Sequence, residues 1–85
     1  MSKRIAIMGI IVENRDSVRQ LNELLHEYGD IINGRMGIPF REEKLSVISV
    51  VLCADEGKIS ALSGKIGRLD GVQAKVTYSS RMISE

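Results

Sequence analysis

The 85-residue chain has no tryptophan and only one proline, one histidine and one cysteine. A single cysteine excludes an intramolecular disulfide. With His26 as the only histidine and no cluster of either residue, a transition-metal site within one chain is excluded as well. Cys53 lies in the apolar run "SVISVVLCA" and is expected to be a buried, quiet thiol, while His26 is expected to be a solvated residue of a helix. Charge of either sign is not in excess: 12 basic and 11 acidic residues leave a formal +1, so no basic footprint for nucleic acid is present. Long hydrophobic runs are also lacking. The opening "MSKRIAIMGIIVENRD" holds an apolar stretch only over residues 5–12, short of a signal peptide or a membrane span, and a cytoplasmic protein without membrane contact is expected.

What is present reads as one domain, residues 1–85, built twice on one plan. Val18, Leu21, Leu25 and Tyr28, with Leu24 beside them, have the spacing of one face of a helix. Ile59, Leu62, Ile66 and Leu69 repeat that spacing after 41 residues and predict a second helix. Asn14 or Asp16 before the first helix and Asp55 before the second are candidate caps, because their short side chains can accept hydrogen bonds from the free amides of a first turn. Before each helix stands an isoleucine- and valine-rich run, "RIAIMGIIVE" and "LSVISVVLCA", apolar on both alternating faces as a central strand must be. After each stands a weaker strand. "VQAKVTYS" alternates as an edge strand does, and "GDIINGRMGIPF" is expected to be the other edge, joined to the third strand through a hairpin loop "IPFREEKL". Central first and third strands with edge second and fourth strands describe a ferredoxin-like βαββαβ sandwich, an antiparallel sheet in order 4-1-3-2 with two helices on one face. The other face of the central strands would then be an uncovered apolar patch, for which self-association into a dimer or tetramer is the expected remedy.

With the segments laid out, "LNELLHEYGD", "GRMGIPFRE", "SVISVVL" and "ISALSGKIGRLDGV", in this order, resemble the regulator family of the iron-only hydrogenase system of anaerobic bacteria across nearly the whole chain. The resemblance implies a fold close to ACT domains and to the ligand-sensing half of nickel-responsive repressors. It also implies a regulatory role that rests on genomic association with hydrogenase maturation. It carries no established ligand, cofactor or catalytic residue, so the cofactor is left unknown.

The candidate ligand- or partner-binding residues form two groups. Gly34 and Gly37 flank Arg35 and Met36 in the second strand, where a backbone or ligand could approach closely; Arg35 offers a planar fork for an anion or a partner's carboxylate. A bulged edge that only avoids aggregation is the alternative. Asn14 and Arg15 stand at the first strand-to-helix connection, where free amides favour anions, and capping with a surface ion pair is the stronger reading there. In the second helix Ser60, Gly64 and Gly67 form a small-residue stripe, expected to pack on the domain's own sheet in preference to a subunit contact. No serine, histidine and acid trio and no paired buried carboxylates are present, so the chain is read as a non-enzyme. The three aromatics, Tyr28, Phe40 and Tyr78, lie outside the central strands, and base stacking by those strands is excluded. Neither a helix-turn-helix nor a basic ribbon occurs, so any transcriptional action needs a partner. The expectation is an oligomeric ACT-like domain that senses a small molecule or engages a protein of the hydrogenase system; the alternative is a scaffold protein without a ligand.

Overall fold

Isoleucine and valine dominate the two central runs, and their β-branched side chains fit a pleated surface better than a helix. The computed structural model describes residues 2–84. β1 (Ser2–Val12) leads through a 3₁₀ turn at Arg15–Ser17 into α1 (Val18–Glu27), and a second turn at Gly29–Ile31 leads into β2 (Ile32–Phe40). β3 (Leu45–Ala54), α2 (Glu56–Gly67) and β4 (Val72–Ser84) complete the βαββαβ order. The sheet is antiparallel in the order β2-β3-β1-β4, with β1 and β3 central as the sequence implies.

One face of the sheet carries Ala6, Met8, Ile10 and Val12 of β1 and Ile48, Val50, Leu52 and Ala54 of β3, all buried beneath Leu21 and Leu25 of α1 and Ile59, Leu62 and Ile66 of α2. Burial of a side chain such as Leu62 stabilises by roughly 1.5–3 kcal/mol. α2 is fixed at its start by Asp55, whose carboxylate accepts a hydrogen bond from the Lys58 amide at 2.9 Å. Asn14 caps the 3₁₀ turn, accepting from the Asp16 amide at 3.0 Å, and its own amide group donates to Asp70 at 2.7 Å. The buried Ser17 hydroxyl donates to the Asp70 carbonyl at 2.6 Å, and the Glu13 amide donates to the Gly71 carbonyl at 2.7 Å. Gly71 has φ +70, and a Cβ there would lie 2.6 Å from that of Asn14, so only glycine lets these two loops close on each other.

The strands outrun the helices. At about 3.3 Å per residue the 13 residues of β4 span about 43 Å, whereas the 10 and 12 residues of α1 and α2 span about 15 and 18 Å. The principal extents of 43 × 18 × 16 Å follow, and both ends of the sheet project beyond the helix layer. Two irregularities interrupt the ladders. Ile32 pairs with Leu52 but Gly34 with Val51, so Asn33 is one residue extra in β2. Between Arg4 opposite Met82 and Ala6 opposite Tyr78, β4 carries two extra residues, where the Ser79 hydroxyl accepts from the Arg81 amide at 3.1 Å.

Several expectations change. Pro39 and Phe40 belong to β2, so the turn is only residues 41–44; proline is tolerated because β2 is an edge. Cys53 is not in the core. It sits half-buried on the sheet face away from the helices, opposite Ile5, because both faces of this apolar run are apolar and its position places it on the outer one. Ser60, Gly64 and Gly67 face solvent, and a Cβ at either glycine would meet nothing within 4 Å. Val18 is 38 % exposed at the open end of α1, outside the core its periodicity implied.

Candidate functional site

β2 differs from every other strand in having almost no cover on either face. After the Asn33 bulge its pairing sends Met36, Ile38 and Phe40 to the face away from the helices, opposite Ser49, Val47 and Leu45. There they extend the row of Ile5, Ile7 and Ile11 of β1 and Val47, Val51 and Cys53 of β3. Ile7 is 52 % exposed and Met36 64 %. This open face is therefore a contiguous apolar surface over three strands, relieved by Ser49 and, on β4, by Gln73, Lys75 and Thr77. Scattered exposed apolar residues are ordinary, whereas this patch is continuous across neighbouring strands.

The opposite side of β2 presents Arg35, Gly37 and Pro39, of which only Pro39 has an apolar side chain, a small ring that stays exposed. A groove results between β2 and α1. Its inner lobe, about 190 Å³, is lined by Leu21, Asn22, Arg35, Gly37 and Ile48. Its outer lobe, about 570 Å³, opens toward the turn and adds Arg15, Phe40, Arg41, Lys44 and Leu45. Val12, Val18, Pro39 and Ser46 line both lobes, which makes them one continuous groove. The Arg35 guanidinium donates to the Asn22 side-chain oxygen at 3.3 Å and so lies along α1.

The six residues singled out in the sequence thus separate. Arg15, Arg35 and Gly37 line the groove. Gly34 and Met36 pair on the opposite, open face. Asn14 is engaged in the latch to Asp70 and Asp16. Arg41, Lys44, Val18 and Pro39 are groove residues that sequence reasoning missed; the only trace was the charged "FREEKL", which reads equally well as a turn. His26 lies exposed on the outer side of α1, away from Cys53. Among the described residues no three His, Cys, Asp or Glu side chains converge as a metal cage, and no helix is long and apolar enough to cross a membrane.

Residues 4–76 match a family profile described as "TM1266-like: Iron-only hydrogenase system regulator, putative". The chain is similar to a solved structure described as that of the uncharacterized protein TM1266 from Thermotoga maritima. The two are 43 % identical, the match covers 89 % of this chain and 96 % of the other, and the TM-score is 0.86. No protein with a curated description matches.

Proposed function

The chain belongs to the TM1266-like family of iron-only hydrogenase system regulators, and from that membership we propose that it acts as a non-enzymatic, cytoplasmic regulatory domain that associates through its open sheet face and receives a small-molecule effector in the groove beside β2. The observation that carries this reading is the apolar open face, with Ile5, Ile7, Ile11, Met36, Ile38 and Phe40 all exposed. A face four strands wide and about 33 Å long covers on the order of 600 Å². Two copies packed face to face would bury about 1,200 Å², the lower bound for a specific, stable interface. A second copy suits this surface because its own partner face is equally flat and apolar, and a two-fold contact uses the same patch twice.

In this reading the groove supplies the input and the sheet face the assembly. On the same reading any effect on transcription passes through a partner, since the sequence has neither a helix-turn-helix pattern nor a basic ribbon. Sedimentation at micromolar concentration tests association: a species of twice or four times 9.4 kDa is expected, and a monomer overturns it. A thermal-shift screen with metabolites tests sensing, because a ligand that binds only the native state raises the melting temperature. Association without any metabolite-induced shift favours a scaffold role instead.

A further inference from the structure

We infer that the outer lobe of the groove is a site for a small amphipathic anion, a carboxylate on a short apolar body. The inference rests on the reading of the groove as the effector site and adds the chemistry of the ligand. Arg15 reaches the lobe from the turn before α1, and Arg41 and Lys44 reach it from the turn between β2 and β3. No acidic side chain lines it: Glu13, Asp16, Glu42 and Glu43 are near in sequence but not part of its wall. Among the described residues the ion pairs are Arg4 with Glu56 and Lys65 with Glu27, and none involves the three cations of the lobe.

A concave wall with cations of one sign concentrates anions, since the low-dielectric protein beneath focuses their field. Two guanidinium groups and an ammonium favour an oxyanion, which can take several charge-assisted hydrogen bonds at once. The lining between them is apolar, formed by Val12, Val18 and Pro39, and accommodates a hydrocarbon body rather than a fully hydrated ion. A volume of about 570 Å³ holds a compound of modest size. Lys44 adds an independent observation: its φ is +58, a conformation that glycine or asparagine adopts more readily. A long cationic side chain stands there despite the local backbone cost, and it faces the lobe.

The test is a titration of the full chain followed by amide chemical shifts, with hexanoate, hexylammonium and inorganic phosphate as probes. Hexanoate should give saturable shifts at the amides of Arg15, Val18, Arg41 and Lys44. Hexylammonium should give none there, and phosphate should bind at least about tenfold more weakly, since it lacks the apolar body. The double charge reversal Arg41→Glu with Lys44→Glu should weaken hexanoate binding by tenfold or more, a loss of about 1.4 kcal/mol for each factor of ten. Both residues are exposed, so an unchanged circular dichroism melt is expected; the neutral pair Arg41→Gln with Lys44→Gln provides the same test if the reversal disturbs the turn. No saturable hexanoate shift, equal response to hexylammonium, phosphate binding as tightly as hexanoate, or shifts confined to Ile5, Ile7 and Ile11 would each overturn the inference. If the anion fails while an uncharged or cationic metabolite raises the melting temperature, the ligand class is wrong and effector sensing stands. If every metabolite fails too, sensing itself fails.

Discussion

The first β-α-β half and the second start from the same ingredients and finish differently. Each has a central strand, a cap, an amphipathic helix and an outgoing edge strand, yet the edge strands meet opposite fates. β4 turns Val72, Ala74, Val76 and Tyr78 toward the helices and is drawn into the core. β2 turns Arg35, Gly37 and Pro39 toward them and stays uncovered, with only Ile32 packed against the core. Three residues on one strand therefore decide whether a half closes over its sheet edge or leaves it open. The helices share the difference: α2 buries three residues fully, whereas α1 buries two and leaves Val18 at the groove.

The comparison can be broken most forcefully on the core side. Ile66→Ala in α2 and Leu21→Ala in α1 each remove a side chain that is fully or almost fully buried, and each should lower stability by about 2–5 kcal/mol in denaturant melts. A much smaller loss at Leu21 would mean that the first half is loosely packed throughout, not only at β2. The next effect concerns the latch between the halves. Gly71→Ala forces a Cβ onto Asn14 at a positive φ and should destabilise by roughly 1–3 kcal/mol in the same melts.

Smaller effects sharpen the contrast on the exposed side. Arg35→Ala and Gly37→Val should each change stability by less than about 0.5 kcal/mol, since both positions are exposed and the new Cβ at position 37 meets only Ile48 at an ordinary 3.6 Å. Both should nevertheless weaken effector binding, because one removes and the other fills part of the inner lobe; sedimentation and the thermal-shift screen read the effect. If these variants melt as badly as Ile66→Ala, β2 is a structural strand after all. The smallest effect is alkaline. Tyr28, whose ring centroid lies 5.1 Å from the Lys65 ammonium, holds the lysine's pKa above the ordinary 10.5, with the nearby Glu27 carboxylate adding to the shift. A raised amine pKa means the folded state holds the proton more tightly, so the contribution is complete below 10.5 and fades as pH climbs through the raised value. Lys65→Met should therefore flatten the melting-temperature profile in that alkaline window.

Much of the fold is legible because apolarity reports cover. Runs apolar on both sides are expected at the centre and the weaker runs at the edges, and the short connection that makes β2 and β3 neighbours then leaves the order β2-β3-β1-β4. The Asp55 cap and the faces of both helices are legible for the same local reasons. Position within a two-sided run is not. Cys53 sits in a segment whose two faces are equally apolar, so its environment depends on pairing with Ile5, a contact 48 residues away in sequence. The groove is hidden for another reason. Arg15, Arg35, Arg41 and Lys44 each make sense locally as cap, edge or turn residues, and only the tertiary path of the turn past α1 gathers them. The solvent-facing Ser60, Gly64 and Gly67 have no physical account in this structure.

Asn33 makes the division of β2 a matter of arithmetic. Ile32 faces the helices opposite Leu52, so an uninterrupted strand would send every later even-numbered residue the same way. The single doubled position reverses that parity. A slip that irons out the bulge while keeping the chain intact would exchange all partners beyond it: Met36, Ile38 and Phe40 would turn under α1, and Arg35 would emerge among the isoleucines of the open face. Excising Asn33 does the reverse of what intuition expects, because it removes the slack and leaves both sets of side chains where they are. The strand thus contains two countings of one sequence, and one asparagine holds the difference between them.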